Sequence, residues 1–232
     1  MDRAISLSRC RSADLLLPLA LAASCLIAFF QPYDALFDWL TVGQPWLRVA
    51  AMLLCWLAGL RLLAANRFSL GVIGTSRPLL LIASASVAVA LWCIALDGLI
   101  FRAELAPSYG AFEQTPLTVR LLYYATRAIN ENVLYRLFLG SLLAWVLHRL
   151  FRRPNPSLGL AMIGMSLAHL LNVAVNVGMW ADGPVSAAWL VLRFVVPGLA
   201  WSWMYIRHGF AANEGSAIGV HLVLQPVVST VF

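Results

Sequence analysis

Three ionisable side chains lie inside long apolar stretches of this sequence: Glu131, His169 and His221. An acid at the centre of a membrane-spanning helix costs roughly 2.5–3.5 kcal/mol on insertion scales, so such a group usually faces a protein cavity and serves function. A carboxylate can take a proton from water, and an imidazole can relay a proton, stabilise negative charge or bind a metal. These residues are therefore the first candidates for chemistry.

The three residues are also placed at similar depths in their apolar runs. If each run is a straight helix rising about 1.5 Å per residue, each residue lies about 16–20 Å from the outer end of its helix. The counts are 11 residues from Arg120 to Glu131, 13 from His169 to Asp182 and 11 from His221 to Phe232. A common depth on three helices predicts one composite site.

Further polar residues recur at helical spacing beside these candidates. Arg127 lies four residues before the glutamate, and Asn132 lies four residues before Arg136. Residues with this spacing meet along one face of a helix. Gln225 follows the second histidine by four residues, so its amide is expected to face the same cavity, where it could donate a hydrogen bond to an oxyanion.

The elements that must position these residues indicate an all-α, polytopic transmembrane helix bundle. The chain has 232 residues, 62% hydrophobic and 11% charged, against roughly 45–50% and 25% in a soluble domain. A soluble globular protein is therefore excluded. About seven spans are predicted, with six to eight compatible, since one span needs about 20 residues. The apolar runs are residues 15–30, 49–65, 79–96, 117–147, 158–180, 187–206 and 217–232.

The fourth of these runs contains 31 residues, more than the ~17–25 that one crossing needs. We expect it to tilt, to extend beyond the membrane or to break. The chain is predicted to form one membrane domain in two parts, with the first three spans in residues 1–114 and the candidate chemistry in residues 115–232. Apart from Glu131, the acidic residues are predicted to lie in the tail, in loops or close to span ends.

The distribution of arginine predicts the orientation in the membrane. The net charge is +6 and all 16 basic residues are arginine. Ten of these arginines fall on one side of the membrane if the spans alternate, while six of the ten acidic residues fall on the other. The positive-inside rule then places the N-terminus in the cytoplasm. The arginines lie between apolar runs, so they indicate contact with lipid headgroups and no nucleic-acid partner.

Three short motifs resemble those of a known family of membrane proteases. The sequence ENVLYRLFLG at residues 131–140 resembles the EExxxR motif of the CAAX prenyl endopeptidase and bacteriocin-processing family, also called the ABI family. MSLAH at residues 165–169 resembles its FxxxH motif, and HLVLQ at residues 221–225 resembles its HxxxN motif. The motifs occur in the family's order and cover roughly residues 115–230, about half of the chain.

The resemblance implies an intramembrane glutamic endopeptidase that cleaves a C-terminal tail or peptide precursor of a membrane-associated protein. Glu131 would activate a water molecule and His169 would position that water. His221 and Gln225 would stabilise the oxyanion of the tetrahedral intermediate. Three further side chains would support these groups: Arg127, Asn132 and Arg136.

This sequence departs from the family pattern at three positions. Asn132 stands in place of the second glutamate, Met165 in place of phenylalanine, and Gln225 in place of asparagine. With Asn132 neutral, Arg136 would keep a hydrogen bond but lose a charged partner. From the sequence alone we expect the Asn132→Glu variant to keep its activity or to gain some.

Other functions stay open at this point. One glutamate and two histidines could bind zinc with an open water position, although no HExxH motif occurs and no other cofactor is indicated. The chain could also be a non-catalytic membrane scaffold or bacteriocin-immunity protein, which Asn132 favours. A proton-coupled transporter is a further alternative, but no inverted repeat is visible.

The expected partners are a peptide or protein substrate tail in the membrane and the lipid bilayer itself. The predicted location is a bacterial inner membrane, crossed several times. Glu131, His169 and His221 lie about 21–27 Å from the cytoplasmic ends of their helices. Their distances to the outer ends are shorter, about 16–20 Å. We therefore expect the cavity to open nearer the outer face.

Overall fold

A computed structural model describes residues 11–30, 35–71, 76–105, 115–152, 157–176 and 186–231 of the chain. The regular elements of these residues are all helical. The ten α-helices named here are α1 Arg11–Phe30, α2 Ala35–Leu40, α3 Pro45–Ala65, α4 Ser76–Ala95, α5 Leu117–Glu131, α6 Ser141–Leu150, α7 Leu158–Asn176, α8 Ala187–Leu190, α9 Val196–His208 and α10 Phe210–Val231.

Three π-helical segments interrupt or extend these α-helices. Leu96–Ile100 continues α4, Asn132–Gly140 joins α5 to α6, and Val191–Val195 joins α8 to α9. A π-helix forms hydrogen bonds from residue i to i+5, and such segments often mark functional sites. Each of these segments carries a charged side chain: Asp97, Arg136 and Arg193.

Five helical segments are long and apolar enough to cross a membrane, by length and composition. They are Pro45–Ala65, Arg77–Ile100, Leu117–Leu150, Leu158–Asn176 and Ala187–His208. The first predicted run falls on a shorter apolar helix, Leu17–Phe30, and the last falls on α10, so the seven predicted spans are not all established. The protein is an all-helical membrane protein.

The overlong fourth run does not break. Residues 117–150 form one continuous helical segment of 34 residues with nine π-helical residues in its middle. Ser141 Oγ donates a hydrogen bond of 3.2 Å to the carbonyl of Arg136, which helps to satisfy the backbone at the end of the π segment. The π-helical residues begin immediately after Glu131. Their wider turns change the direction in which the later polar side chains of this helix face the interior.

One hydrophobic cluster joins the two predicted parts of the chain. Met52 and Trp56 of α3 pack with Tyr135 of the π segment, Met165 of α7 and Tyr205 of α9. All five side chains are buried. The first spans therefore pack directly against the segment that carries the candidate site.

Small residues let α7 approach the π segment and α6 closely. A Cβ atom at Gly140 would meet the Met165 sulfur, and one at Gly164 would meet the backbone of Ala144. Small residues at such crossings let helix backbones approach in membrane proteins. This close crossing brings His169 of α7 to the level of Arg136.

Helix α10 begins seven residues before the apolar run predicted from the sequence. Gly209 adopts a positive φ of 93° that ends α9, a conformation that glycine accepts without steric cost. The next two amides, of Phe210 and Ala211, donate to the carbonyls of Ser69 and Leu70 at 3.0 and 2.8 Å. These bonds fix the first turn of α10, so that residues 213–216 become helical.

The structure changes the assignment of two acids, and the early start of α10 accounts for one of them, Glu214. The sequence pattern predicts that Glu131 is the one carboxylate deep inside a membrane span. The structure also buries both carboxylate oxygens of Glu214, in the second turn of α10, and the side chain of Asp97. Two acids that were expected near span ends therefore belong to the interior.

Candidate active site

A cavity of about 120 Å³ lies between α5, the Asn132–Gly140 segment, α7, the Val191–Val195 segment and α10. The structure brings six of the seven predicted site residues to its wall: Arg127, Glu131, Asn132, Arg136, His169 and His221. Three separate helices thus deliver one carboxylate and two imidazoles to the same space. The three residues for which the sequence predicts a common depth thus line one cavity.

Glu131 is held by an arginine of its own helix. Arg127 Nε donates to Glu131 Oε1 at 2.5 Å, one helical turn away. The side chain of Glu131 is 20% exposed, against 8% for Arg127. The ion pair therefore anchors one carboxylate oxygen while the glutamate still faces the cavity.

Arg136 lines the cavity and contacts three other side chains. One of its terminal nitrogens donates to Asn132 Oδ1, and its guanidinium lies 5.6 Å from the centre of the Trp201 ring. The second terminal nitrogen lies 3.4 Å from His169 Nδ1. The guanidinium is buried and joins the π segment to α7 and α9.

Both ring nitrogens of His169 contact the protein. Nε2 lies 2.9 Å from the carbonyl oxygen of Phe194, so Nε2 carries the proton and Nδ1 accepts from Arg136. This tautomer follows from the hydrogen-bond partners. The ring lines the cavity, but its nitrogens hold Arg136 and the Val191–Val195 segment, which changes the direct water-positioning role expected from the sequence.

Gly198 of α9 makes room for this imidazole. A Cβ atom at residue 198 would collide with the His169 ring. We expect Gly198→Ala to displace the ring and to lower any activity of the site while Gly159→Ala, at an open position, does not. The measurement is product formation alongside the thermal unfolding temperature of both variants. Equal activity of the two variants would show that the position of His169 is unimportant.

His221 has a different environment. Its ring stacks on Tyr124 of α5, with centroids 4.5 Å apart and planes inclined by 8°. Among the described residues, Nδ1 of His221 has no hydrogen-bond partner. Arg127 and Arg193 line the same cavity as this ring. His221 is thus the imidazole that is left to interact with a bound molecule.

Gln225 does not join the other six predicted residues. It lies one turn beyond His221 and is buried, but the described lining of the cavity does not include it. Four residues along a helix correspond to about 6 Å along its axis. Gln225 faces a similar direction at a different height, so the expectation that its amide enters the cavity is not met.

Sequence reasoning missed Arg193 and its partners. Arg193 lines the cavity and its Nε donates to Asp97 Oδ2 at 2.9 Å, while Trp189 Nε1 donates to Asp97 Oδ1 at the same distance. Arg193 lies in the middle of the sixth predicted span. The signal that singled out Glu131, a charge inside an apolar run, would also have found Arg193.

The polar wall continues along α7. Asn172 and Asn176 line the cavity beyond His169, and Asn176 Nδ2 donates to Asn172 Oδ1 at 2.8 Å. In the described part of the chain, no group of three His, Cys, Asp or Glu side chains is arranged to hold a metal ion. With the nitrogens of His169 already engaged, these residues do not supply a donor set for zinc.

Comparisons with protein families, with curated proteins and with solved structures find no match for this chain. The likeness to the CAAX endopeptidase family thus remains a resemblance carried by three short motifs.

Proposed function

We propose that the protein is an intramembrane endopeptidase in which Glu131 activates a water molecule for peptide hydrolysis. The observation that carries this proposal is the shared cavity of Glu131, His221 and the Arg136–His169 pair within apolar helices. A half-buried carboxylate in the same cavity as an imidazole with an unpaired Nδ1 atom is an arrangement suited to general-base chemistry. The resemblance of the three motifs points to the same reaction.

The geometry supports the following sequence of steps. Arg127 holds Oε1 of Glu131, and the second oxygen accepts a proton from water while that water attacks the scissile carbonyl carbon. His221 donates a hydrogen bond to the oxyanion that forms. The C–N bond then breaks, and Glu131 gives the proton to the leaving amine, so that one peptide bond and one water yield a carboxylate and an amine.

His169 and Gln225 take other roles in this proposal than the sequence suggested. His169 holds Arg136 through Nδ1, and the Arg136 guanidinium supplies positive charge to the cavity wall. Gln225 is assigned to helix packing. No metal or cofactor takes part in these steps.

The proposed substrate is the membrane-anchored C-terminal tail of an exported protein, cleaved in a bacterial inner membrane. We propose seven crossings, with α1 and α10 spanning in addition to the five segments that meet the length and hydropathy criteria. The N-terminus is then cytoplasmic. The test is a comparison of the C-termini of membrane and secreted proteins in a host with and without the protein. New C-termini that depend on it are expected, and identical C-termini in both samples would contradict the proposal.

The opening of the cavity can be located with cysteine labelling in intact cells. With the native cysteines removed, a cysteine replacing Ala217, which lines the cavity, should react with an impermeant thiol reagent added outside. Trp39→Cys and Leu150→Cys, at positions 74% and 70% exposed, serve as the predicted outer and cytoplasmic controls. Labelling of Ala217→Cys only after the cytoplasmic face is opened would reverse the proposed direction of access.

A further inference from the structure

Charge is distributed unevenly around the candidate cavity. Three side chains of its described lining are arginines: Arg127, Arg136 and Arg193. Glu131 is the one acid in that lining. Two further acids are buried in the interior, Asp97 and Glu214, and the described lining includes neither of them. The surface that the cavity presents to a bound molecule is therefore rich in positive charge, which favours a negatively charged group.

Arg193 is held in this surface by an acid of a neighbouring helix. Asp97, in the π-helical segment that continues α4, accepts a hydrogen bond of 2.9 Å from Arg193 Nε. Its other oxygen accepts one of 2.9 Å from Trp189 Nε1. The Asp97 side chain is 1% exposed, against 11% for Arg193. The acid thus lies inside the protein, and its cationic partner is the member of the pair that lines the cavity.

The residue next to Arg193 restricts the same guanidinium. The central guanidinium carbon lies 5.4 Å from the centre of the Phe194 ring, a distance at which a cation is attracted to an aromatic face. The Trp189 ring meets Phe194 edge-on, with centroids 5.3 Å apart. The carbonyl oxygen of Phe194 lies 2.9 Å from His169 Nε2. These contacts fix Arg193 before a ligand arrives, and such preorganisation lowers the entropic cost of binding.

A carboxylate suits this cavity better than a phosphate does. The planar guanidinium of arginine matches the two oxygens of a carboxylate. Two of the three lining arginines already share an acid in an ion pair, which leaves little positive charge to offset the nearly two negative charges of a phosphate. The volume of about 120 Å³ also includes apolar wall from Ala128, Val173 and Val220. The cavity therefore fits one small anionic group next to an apolar one.

We propose that the cavity binds the carboxylate of a peptide and that Arg193, positioned by Asp97 and Trp189, recognises it. Two parts of a peptide carry this group: the free α-carboxylate at its C-terminus and the side chain of an acidic residue. Arg193 is then a specificity-determining residue. The peptide nature of the ligand rests on the proposed function, whereas the binding of a carboxylate at Arg193 does not.

The experiment measures the binding of small probes to the full chain in detergent micelles and needs no cleavage. N-acetylvaline carries a free α-carboxylate, the α-amide of N-acetylaspartate carries a side-chain carboxylate alone, and N-acetylvalinamide is neutral. Methyl phosphate represents the phosphate of a lipid headgroup. Affinities are measured by saturation-transfer NMR at constant ionic strength, with empty micelles as the blank. In protein labelled with ¹⁵N-arginine, the Nε–H signal of Arg193, assigned by its loss in Arg193→Gln, reports where a probe binds.

At least one carboxylate probe should bind the native protein about 10-fold or more tightly than N-acetylvalinamide, because charge-assisted hydrogen bonds are stronger than neutral ones. The same probe should shift the Arg193 signal, and the tighter of the two carboxylates identifies the source of the group. Arg193→Gln should lose this preference and keep its affinity for the neutral amide. Arg149→Gln removes the same charge at a stack on Trp145, away from the described lining, and should keep the preference.

A second variant protects the test against misfolding. Arg193→Gln removes one partner of a buried ion pair, which is costly. If this variant does not accumulate, Arg193→Gln combined with Asp97→Asn takes its place, because it removes both charges of the pair together. The double variant should show the same loss of preference for the carboxylate.

Three results would overturn the inference. Equal affinity of the native protein for both carboxylates and the neutral amide would show that the cavity does not select a charge. A preference that survives without Arg193 would assign the carboxylate to another residue. Tighter binding of methyl phosphate than of either carboxylate would indicate a lipid headgroup as the ligand. All three are independent of peptide cleavage, so the proposed function keeps its own test in the comparison of C-termini.

Discussion

Replacing Glu131 with glutamine is expected to lower product formation by at least ~10²-fold, the low end for the loss of a positioned general base. Glutamine keeps the size of the side chain and can still meet Arg127, but it cannot accept the proton from water. The protein should therefore still insert and fold. The measurement is the rate at which protein-dependent C-termini appear in pulse-labelled cells with equal amounts of each variant in the membrane.

The matched control for this substitution is Glu104→Gln. Glu104 is also half-buried, but its carboxylate accepts a hydrogen bond from the amide of Ser186, away from the cavity lining. It should retain nearly native product formation. If Glu131→Gln supports the cellular function as well as the native protein does, the protein is a scaffold or immunity partner and not a hydrolase.

His221→Ala is expected to have an effect of similar size, at least ~10²-fold on product formation, because it removes the proposed oxyanion donor. The substitution also removes the ring that stacks on Tyr124, so unfolding temperatures must accompany the rates. His221→Phe separates the two effects: it keeps an aromatic ring for the stack and lacks the nitrogen atoms, and it should be as inactive as His221→Ala.

The control for this second prediction is Gln225→Met on the same helix. Because Gln225 does not belong to the described cavity lining, its replacement by an apolar side chain of similar length should reduce product formation much less than His221→Ala does. A loss as large as that of His221→Ala would show that the Gln225 amide takes part in the reaction. Retained activity in His221→Phe would show that His221 does not take part in it.

Much of the candidate site could be predicted from the sequence because its determinants are local. A charged residue inside an apolar run is costly in a membrane, which singled out Glu131, His169 and His221. The Arg127–Glu131 and Asn132–Arg136 contacts follow from the four-residue spacing of a helix, and the structure contains both. The helical class follows from composition, since a membrane requires backbone polar groups to be satisfied within each segment.

The limits of each helix were less predictable because they depend on contacts with other segments. The amides of Phe210 and Ala211 are bonded to the carbonyls of Ser69 and Leu70, about 140 residues earlier in the chain, and this contact starts α10 early enough to include Glu214. Hydropathy alone placed that residue before the span. The sequence pattern began this helix seven residues too late, and it therefore assigned a buried acid to a loop.

What the sequence by itself determined is the helical membrane class and the residues whose charge is incompatible with lipid. The tertiary structure decided which atoms those residues meet. It joined Asp97 to Arg193 across 96 residues and engaged both nitrogens of His169. It also left Gln225 out of the described cavity lining and buried both carboxylate oxygens of Glu214. The physical reason is that spacing along one helix fixes contacts within that helix, whereas the rotation and height of one helix against another depend on side-chain packing over the whole bundle.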